Sequence, residues 1–136
     1  MKKNKIKKLN RHSSYVCNIS FHIIFITKYR KKFLKGPIKK AIKQLLYAKS
    51  NSINIAIRAI ESDLDHIHLF IEANTDITVS FICKSLKGYS SFHIRNMFLW
   101  LKKYKAFWSP SYYCETIGHI NSDTIIKYIK NQNNNT

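Results

Sequence analysis

The sequence predicts an α+β fold: a ferredoxin-like (RRM-like) antiparallel sheet with helices on one face, followed by a C-terminal helix. Four segments alternate apolar and polar residues, as strands with one buried face do, and three segments repeat apolar residues at helical spacing. Their order is strand, helix, strand, strand, helix, strand, helix. The 136 residues suffice for one core, so we expect a single domain over 1–136, with a basic tail at 1–14 and a polar tail at 133–136.

The first strand and the first helix follow the basic tail. Alternating apolar residues mark the strand, at Cys17, Ile19, Phe21, Ile23 and Phe25. Basic residues before an apolar run resemble a secretion signal, but polar residues interrupt this run and it is too short to span a bilayer. Pro37 suits the first position of a helix, because the amide hydrogen that proline lacks would have no partner there. Helical spacing predicts a helix over 37–50.

The second and third strands follow each other directly. Four alternating apolar residues mark the second strand, at Ile53, Ile55, Ile57 and Ala59. An acidic turn at 61–63 separates it from a third strand over 65–73. One face of the third strand is apolar, with Ile67, Leu69 and Ile71, and the other carries His66, His68, Phe70 and Glu72.

A long helix is predicted from Val79 onward, with Asp76 as its N-terminal cap. Its apolar stripe comprises Ile82, Cys83, Leu86, Ile94, Met97 and Leu101. The opposite face is basic and includes Lys84, Lys87 and Arg95. Gly88 in this helix costs about 1 kcal/mol relative to alanine, which indicates a close approach of backbone or phosphate.

The last two elements follow a break at 108–110. A short aromatic strand is predicted over 112–116, and the final helix carries Ile125, Ile126 and Ile129. On composition alone Tyr112 and Tyr113 are rival candidates for a nucleophile. One of each alternating pair in a strand faces the core, so we interpret them as packing residues.

Charge and cysteine content limit the function and the compartment. The 24 Lys and Arg against 7 Asp and Glu leave a net charge of +17, which favours a nucleic-acid partner, although solvated lysines of an AT-rich genome would give a similar excess. The three cysteines are widely spaced and form no Cys-x-x-Cys pair, so neither a disulfide framework nor a zinc knuckle is indicated. We expect a reducing cytoplasm, with no membrane and no small-molecule cofactor.

Two groups of residues suggest chemistry. His66 and His68 project from the same strand face, and two neutral imidazoles can share one divalent cation, although such a pair alone is a weak signal. Tyr128 and Gln132 are four residues apart on the last helix and share one of its faces. A phenol near a cation could attack a phosphodiester, and an amide could complete the metal shell.

Several ordered motifs resemble the small single-tyrosine HUH transposases of the insertion-sequence 200/605 group, over nearly the whole chain. Residues 22–30 (HIIFITKYR) resemble the opening strand of that family, and residues 65–71 (DHIHLFI) resemble its HUH strand. Residues 87–91 (KGYSS) are similar to its central-helix motif. Residues 107–113 (FWSPSYY) and 127–132 (KYIKNQ) are similar to its final segments.

The resemblance implies an activity and a set of site residues. His66, His68 and Gln132 would bind Mg²⁺ or Mn²⁺, and Tyr128 would be the nucleophile. Substrates would be single-stranded DNA ends with hairpins, cut to give a 5′-phosphotyrosine and a free 3′-hydroxyl that later rejoins strands. We predict that the hairpin phosphates bind the basic face of the long helix, at Lys84, Lys87 and Arg95. It further implies a homodimer in which the tyrosine helix of one subunit completes the HUH site of the other.

Three alternatives stay open. A domesticated relative that processes genomic palindromes would use the same chemistry. A non-catalytic RNA or single-stranded DNA binder would stack bases on exposed sheet aromatics such as Phe70. A metal-dependent hydrolase would activate water at His66 and His68, although the sequence offers no further ligand cluster for it.

Overall fold

The computed structural model describes residues 18–117. Within them the strands are β1 (Asn18–Thr27), β2 (Ala56–Ser62), β3 (His66–Asn74) and β4 (Trp108–Ile117). The α-helices are α1 (Gly36–Ser52) and α2 (Val79–Met97), and short 3-10 helices lie at Lys28–Arg30 and Leu99–Lys103. The sheet has the order β2-β3-β1-β4, and all neighbouring strands are antiparallel. The predicted α+β fold with an antiparallel sheet is confirmed, while the predicted C-terminal helix lies outside the described residues.

One core lies between the sheet and the two helices. The central strands supply Phe21, Ile23, Phe25, Ile67, Leu69 and Ile71. The helices supply Ile38, Ile42, Leu46, Ile82, Leu86 and Ile94. Only alternate residues of each central strand enter this core, and alternate residues share one face of the sheet. Both helices therefore cover the same face. No helix within residues 18–117 is long and apolar enough to cross a bilayer.

The second strand departs from the predicted alternation. It begins at Ala56 rather than at Ile53 and extends through Ser62, beyond the start of the predicted acidic turn. The pairing with β3 shifts between Ile57 and Ala59, as at a β-bulge. Ile57 packs against the main core, whereas Ala59 joins a separate cluster with Phe70 and Ile117. The shift therefore moves Ala59 to the opposite face from the one that strict alternation predicted.

The fourth strand is longer than predicted, because it includes the segment that was expected to break the chain. It starts at Trp108 and contains Pro110. β4 is the edge strand of the sheet and pairs with β1, so proline is tolerated there without loss of a central hydrogen bond.

Helix α2 begins and ends differently from the prediction. The Thr78 hydroxyl, not Asp76, caps it by accepting a hydrogen bond from the Phe81 amide at 3.1 Å. The helix ends at Met97, and the buried Leu101 belongs to the following 3-10 helix. A β-carbon on Gly88 would meet nothing within 4 Å. The expected close approach of protein backbone at Gly88 is therefore wrong, and an approach by phosphate stays a prediction.

Candidate active site

The two histidines of the predicted HUH strand lie together on the sheet face opposite the helices. Their neighbours Ile67 and Leu69 are fully buried in the main core, so His66 and His68 point to the other side. The two imidazole centroids are 5.1 Å apart, with the ring planes at 74°. The spacing of one residue on a strand therefore brings the rings together, as predicted.

A carboxylate holds His66 by its Nδ1 atom. Nδ1 lies 2.8 Å from Asp65 Oδ1, and the other carboxylate oxygen, Oδ2, accepts a hydrogen bond from Arg30 Nε at 3.1 Å. Burial acts to raise the pKa of Asp65, but the hydrogen bonds from His66 and Arg30, together with the charge of Arg30, outweigh it, so the pKa lies below its ordinary value. An ionised carboxylate only accepts, so His66 donates from Nδ1 and leaves its Nε2 lone pair for another partner.

A third histidine, missed by the sequence analysis, completes the cluster. His22 on β1 is 3% exposed, and its Nε2 lies 2.9 Å from His68 Nδ1. The rings of His22 and His68 are stacked, with centroids 5.2 Å apart. On its other side, His22 Nδ1 lies 3.2 Å from Glu115 Oε1, and the Tyr113 hydroxyl donates to Glu115 Oε2 at 3.1 Å. The position of His22 on the outward face of β1, next to β3 in a ferredoxin-like sheet, is the signal that could have identified it.

The environment of His68 keeps its imidazole neutral. Burial, followed by the neighbouring His22 and His66, lowers the pKa of His68 from 6.5 to about 4. A neutral imidazole is the form that binds a metal ion, so His68 needs no deprotonation near neutral pH.

The described residues supply part of a ligand set for a divalent cation. His66 and His68 each have their Nδ1 atom occupied, and imidazole nitrogen is a common ligand for transition metals. Among residues 18–117, no group of three or more His, Cys, Asp or Glu side chains is arranged to hold a metal ion. The described residues therefore offer two nitrogen ligands, and a cation would need further ligands from water, substrate or the rest of the chain.

The predicted nucleophile Tyr128 and the predicted ligand Gln132 lie outside the described residues. The rival tyrosines do not pack in the core as expected, since Tyr112 and Tyr113 are 39% and 51% exposed. Tyr113 lies on the histidine face opposite Ile24, and Tyr112 lies on the helix face opposite Phe25.

A basic groove opens between α2 and β4, with a volume of about 640 Å³. Four lysines line it, Lys28, Lys84, Lys87 and Lys105, together with Gly88. It lies on the helix side of the sheet, whereas the histidines lie on the other side.

The three basic residues predicted to bind DNA have different surroundings. Lys84 is exposed to solvent. Lys87 Nζ donates to the backbone carbonyls of Ser109 and Ser111, and burial lowers the pKa of Lys87. Arg95 Nη2 donates to the Tyr104 carbonyl at 2.9 Å, and its Nε is buried without a partner within the described part of the chain. Of the three, Lys84 has the cation that is most available to a ligand.

Known transposases are similar to this chain in sequence. The family model described as "Transposase IS200 like" matches residues 15–132. The transposase for insertion sequence element IS200 of Salmonella typhimurium is 36% identical over 118 residues, which cover 85% of this chain and 77% of that protein. The ISDra2 transposase TnpA of Deinococcus radiodurans is 28% identical over 130 residues, 91% of each chain.

Two solved structures share the fold. A crystal structure of a Deinococcus radiodurans R1 protein superposes with a TM-score of 0.74 at 28% identity and covers 88% of this chain and 95% of the other. The structure of a REP-associated tyrosine transposase bound to a REP hairpin has a TM-score of 0.60 at 12% identity and covers 87% of this chain and 66% of the other. The chain therefore belongs to the IS200-like transposase family.

Proposed function

We propose that this transposase cleaves and rejoins single-stranded DNA at insertion-sequence ends, by metal-assisted attack of Tyr128 through a 5′-phosphotyrosine intermediate. The observation that carries the proposal is the arrangement of His66 and His68. Both rings lie on one sheet face, and each has its Nδ1 engaged, so that both Nε2 atoms are left for a cation.

The cation in this proposal is Mg²⁺ or Mn²⁺, held by His66, His68 and Gln132. When bound, it would polarise a non-bridging phosphate oxygen and offset the charge that builds up in phosphoryl transfer. The role of this chain is to supply two imidazole ligands, of which His68 needs no proton loss near neutral pH. Burial of His68 serves that role, because it disfavours the imidazolium form.

In the proposed covalent step, Tyr128 is the nucleophile. Its phenolic oxygen loses a proton and forms a bond to phosphorus, while the bond from phosphorus to the 3′ oxygen breaks and that oxygen takes up a proton. The phosphotyrosine keeps the bond energy, so a 3′-hydroxyl from a new strand can reverse the step without another energy source. The placement of Tyr128 and Gln132 four residues apart supports this role, since both side chains would lie on one face of a helix.

The proposed substrate is single-stranded DNA with hairpin ends. The net charge of +17 and the basic groove between α2 and β4 support binding to phosphates. Lys84 is proposed to contact phosphate directly, because its side chain is exposed. Lys87 and Arg95 are proposed to shape this surface, since their charged groups already bond to backbone carbonyls. The REP-associated relative that shares the fold was solved with a REP hairpin, which is consistent with a hairpin ligand here.

We also propose a homodimer in the cytoplasm, with the Tyr128 helix of one subunit completing the histidine site of the other. Support comes from β4, an edge strand whose outer side has no partner strand within residues 18–117. Such an edge can pair with a second copy. Light scattering during size-exclusion chromatography would test the dimer, and mixing Tyr128→Phe with His66→Ala subunits would test assembly in trans.

The structure does not support Phe70 as the base-stacking residue of the non-catalytic alternative. Phe70 would have to be exposed to stack a base, but its side chain is fully buried in a cluster with Ala59 and Ile117. A domesticated relative shares all the proposed chemistry, and only the DNA next to the gene distinguishes it.

The test is formation of a covalent protein–DNA adduct. The purified protein is incubated with Mg²⁺ and labelled single strands from its flanking DNA, then separated on a denaturing gel. We expect a shifted band that disappears in Tyr128→Phe and on chelation by EDTA. Tyr29→Phe is the matched control, because Tyr29 is an exposed tyrosine outside the histidine cluster and its substitution should leave the band in place. Tight binding of hairpins with no adduct would contradict the proposal.

A further inference from the structure

His22 and Glu115 form a continuous hydrogen-bonded chain that ends on His68. The three side chains come from neighbouring strands, Glu115 from β4, His22 from β1 and His68 from β3. Glu115 Oε1 lies 3.2 Å from His22 Nδ1, and His22 Nε2 lies 2.9 Å from His68 Nδ1. His22 and His68 are both buried, so the contact between them is shielded from water.

For an ionised Glu115 and a neutral His22, proton counting gives the direction of each bond between the three side chains. A carboxylate only accepts, so His22 must donate from Nδ1 to Glu115. A neutral imidazole has one proton, so His22 Nε2 is then an acceptor, and His68 must donate from Nδ1. The remaining nitrogen of a neutral His68, Nε2, is left with a bare lone pair.

The opposite tautomer of His68 would disrupt the hydrogen bonds that link it to His22 and Glu115. If His68 had its proton on Nε2, its Nδ1 lone pair would face the His22 Nε2 atom. His22 would then have to move its own proton to Nε2, and its Nδ1 lone pair would face the Glu115 carboxylate. One charge-assisted hydrogen bond would be replaced by repulsion, and burial of His22 prevents water from replacing it.

We propose that His22 and Glu115 are positioning residues that fix His68 in the tautomer required for metal binding. The inference rests on the proposed role of His68 as a metal ligand. The carboxylate of Asp65 accepts directly from His66 Nδ1. The carboxylate of Glu115 acts on His68 Nδ1 through the imidazole of His22. Partners that orient metal-binding histidines in this way typically contribute about 10- to 100-fold to metal affinity or activity.

Matched substitutions separate this role from simple packing. His22→Leu removes the acceptor for His68, whereas His22→Gln restores an acceptor because its amide oxygen reaches the position of Nε2. Glu115→Ala removes the acceptor for His22 Nδ1, and Glu115→Gln keeps a carbonyl oxygen in that position. The side chain of Glu115 is 45% exposed, so its variants should fold even if His22→Leu does not.

The first measurement is long-range proton–nitrogen NMR of the metal-free protein at mildly alkaline pH. We expect His68 in the wild type to have its proton on Nδ1 alone. His22→Leu and Glu115→Ala should shift His68 toward a mixture of tautomers, and His22→Gln should keep the wild-type pattern. A wild-type His68 protonated on Nε2, or an unchanged pattern in both disruptive variants, would overturn the inference.

The second measurement is the affinity for Mn²⁺ by titration calorimetry of the same proteins. We expect binding to weaken by about 10- to 100-fold in His22→Leu and less in Glu115→Ala, with recovery in His22→Gln and Glu115→Gln. Equal affinity in all variants would overturn the positioning role. A wild type that binds no Mn²⁺ but shows the expected His68 tautomer would instead contradict the proposed metal-assisted function.

Discussion

Arg30 and Asp65 join the end of β1 to the start of β3 through a hydrogen bond of 3.1 Å from Arg30 Nε to Asp65 Oδ2. The other oxygen of the same carboxylate accepts a hydrogen bond from His66 Nδ1. Arg30 thus acts on His66 through Asp65: it helps to hold the carboxylate in its ionised form and in place.

We expect Asp65→Ala to weaken Mn²⁺ binding by about 10- to 100-fold, because His66 would lose the acceptor that fixes its tautomer. Asp65→Asn should have a smaller effect, since its amide oxygen can still accept from Nδ1. The measurement is Mn²⁺ titration calorimetry. Asp76→Ala is the control for loss of a carboxylate, because Asp76 follows the far end of β3. Equal affinities for Asp65→Ala and Asp76→Ala would show that this carboxylate does not support the site.

The turn that presents Arg30 adopts a left-handed backbone. Tyr29 has φ 57° and ψ 23°, and Arg30 has φ 53°, a region that residues with a β-carbon rarely occupy. Tyr29 is 75% exposed, so its side chain contributes little packing to offset this strain.

Substitution at Tyr29 should therefore affect stability through the backbone. We expect Tyr29→Ile to be less stable than Tyr29→Gly by about 2 kcal/mol, because a β-branched side chain tolerates a left-handed conformation poorly and glycine adopts it freely. Urea unfolding of the two variants measures the difference. Similar free energies of unfolding would mean that the turn relaxes to an ordinary conformation at little cost.

Strand geometry alone predicts the pair His66 and His68, whereas placing His22 beside them also requires the strand order of the predicted sheet. Two residues on one strand share a face by geometry alone, but His22 and His68 are 46 positions apart and meet only through the strand order and the pairing of β1 with β3. The face change in β2 was missed because the alternation was continued to Ala59, whereas the next apolar residue in the main core after Ile57 is Ile60.

The basic groove gives a prediction for DNA binding. Lys84→Ala should weaken binding of single-stranded DNA and reduce the slope of log affinity against log salt by about 0.7, the value for loss of one phosphate contact on a single strand. Fluorescence anisotropy at several salt concentrations measures both quantities. Lys40→Ala, an exposed lysine on α1, is the control for loss of charge alone. Equal slopes for the two variants would show that Lys84 lies away from the DNA.

Lys87 and Arg95 should behave differently from Lys84. Lys87 Nζ bonds to the carbonyls of Ser109 and Ser111 and so ties α2 to β4, while Arg95 bonds to the Tyr104 carbonyl after α2. We expect Lys87→Ala and Arg95→Ala each to lower the free energy of unfolding by about 1–3 kcal/mol, because the partly buried bonds to the Ser109 and Tyr104 carbonyls lose their charged donors. Thermal and urea unfolding measure this. If both variants retain wild-type stability but lose DNA affinity, these cations act mainly on the ligand.

The low pKa of His68 predicts how the free energy of unfolding of the metal-free protein depends on pH. Burial and the neighbouring histidines lower this pKa from 6.5 to about 4. Between these two values the unfolded chain binds a proton that the folded chain does not, so the free energy of unfolding falls as the pH is lowered through this window and is fully regained above the upper value. The total effect is on the order of 3 kcal/mol.

Urea unfolding in EDTA at a series of pH values would measure this dependence. His68→Gln should lose less stability than the wild type as the pH falls, because glutamine binds no proton in the unfolded chain. His93→Gln, a change on α2 outside the histidine cluster, should retain the wild-type dependence. Parallel curves for the wild type and His68→Gln would show that the folded protein accepts the proton on His68 without penalty, and that burial does not hold this imidazole neutral.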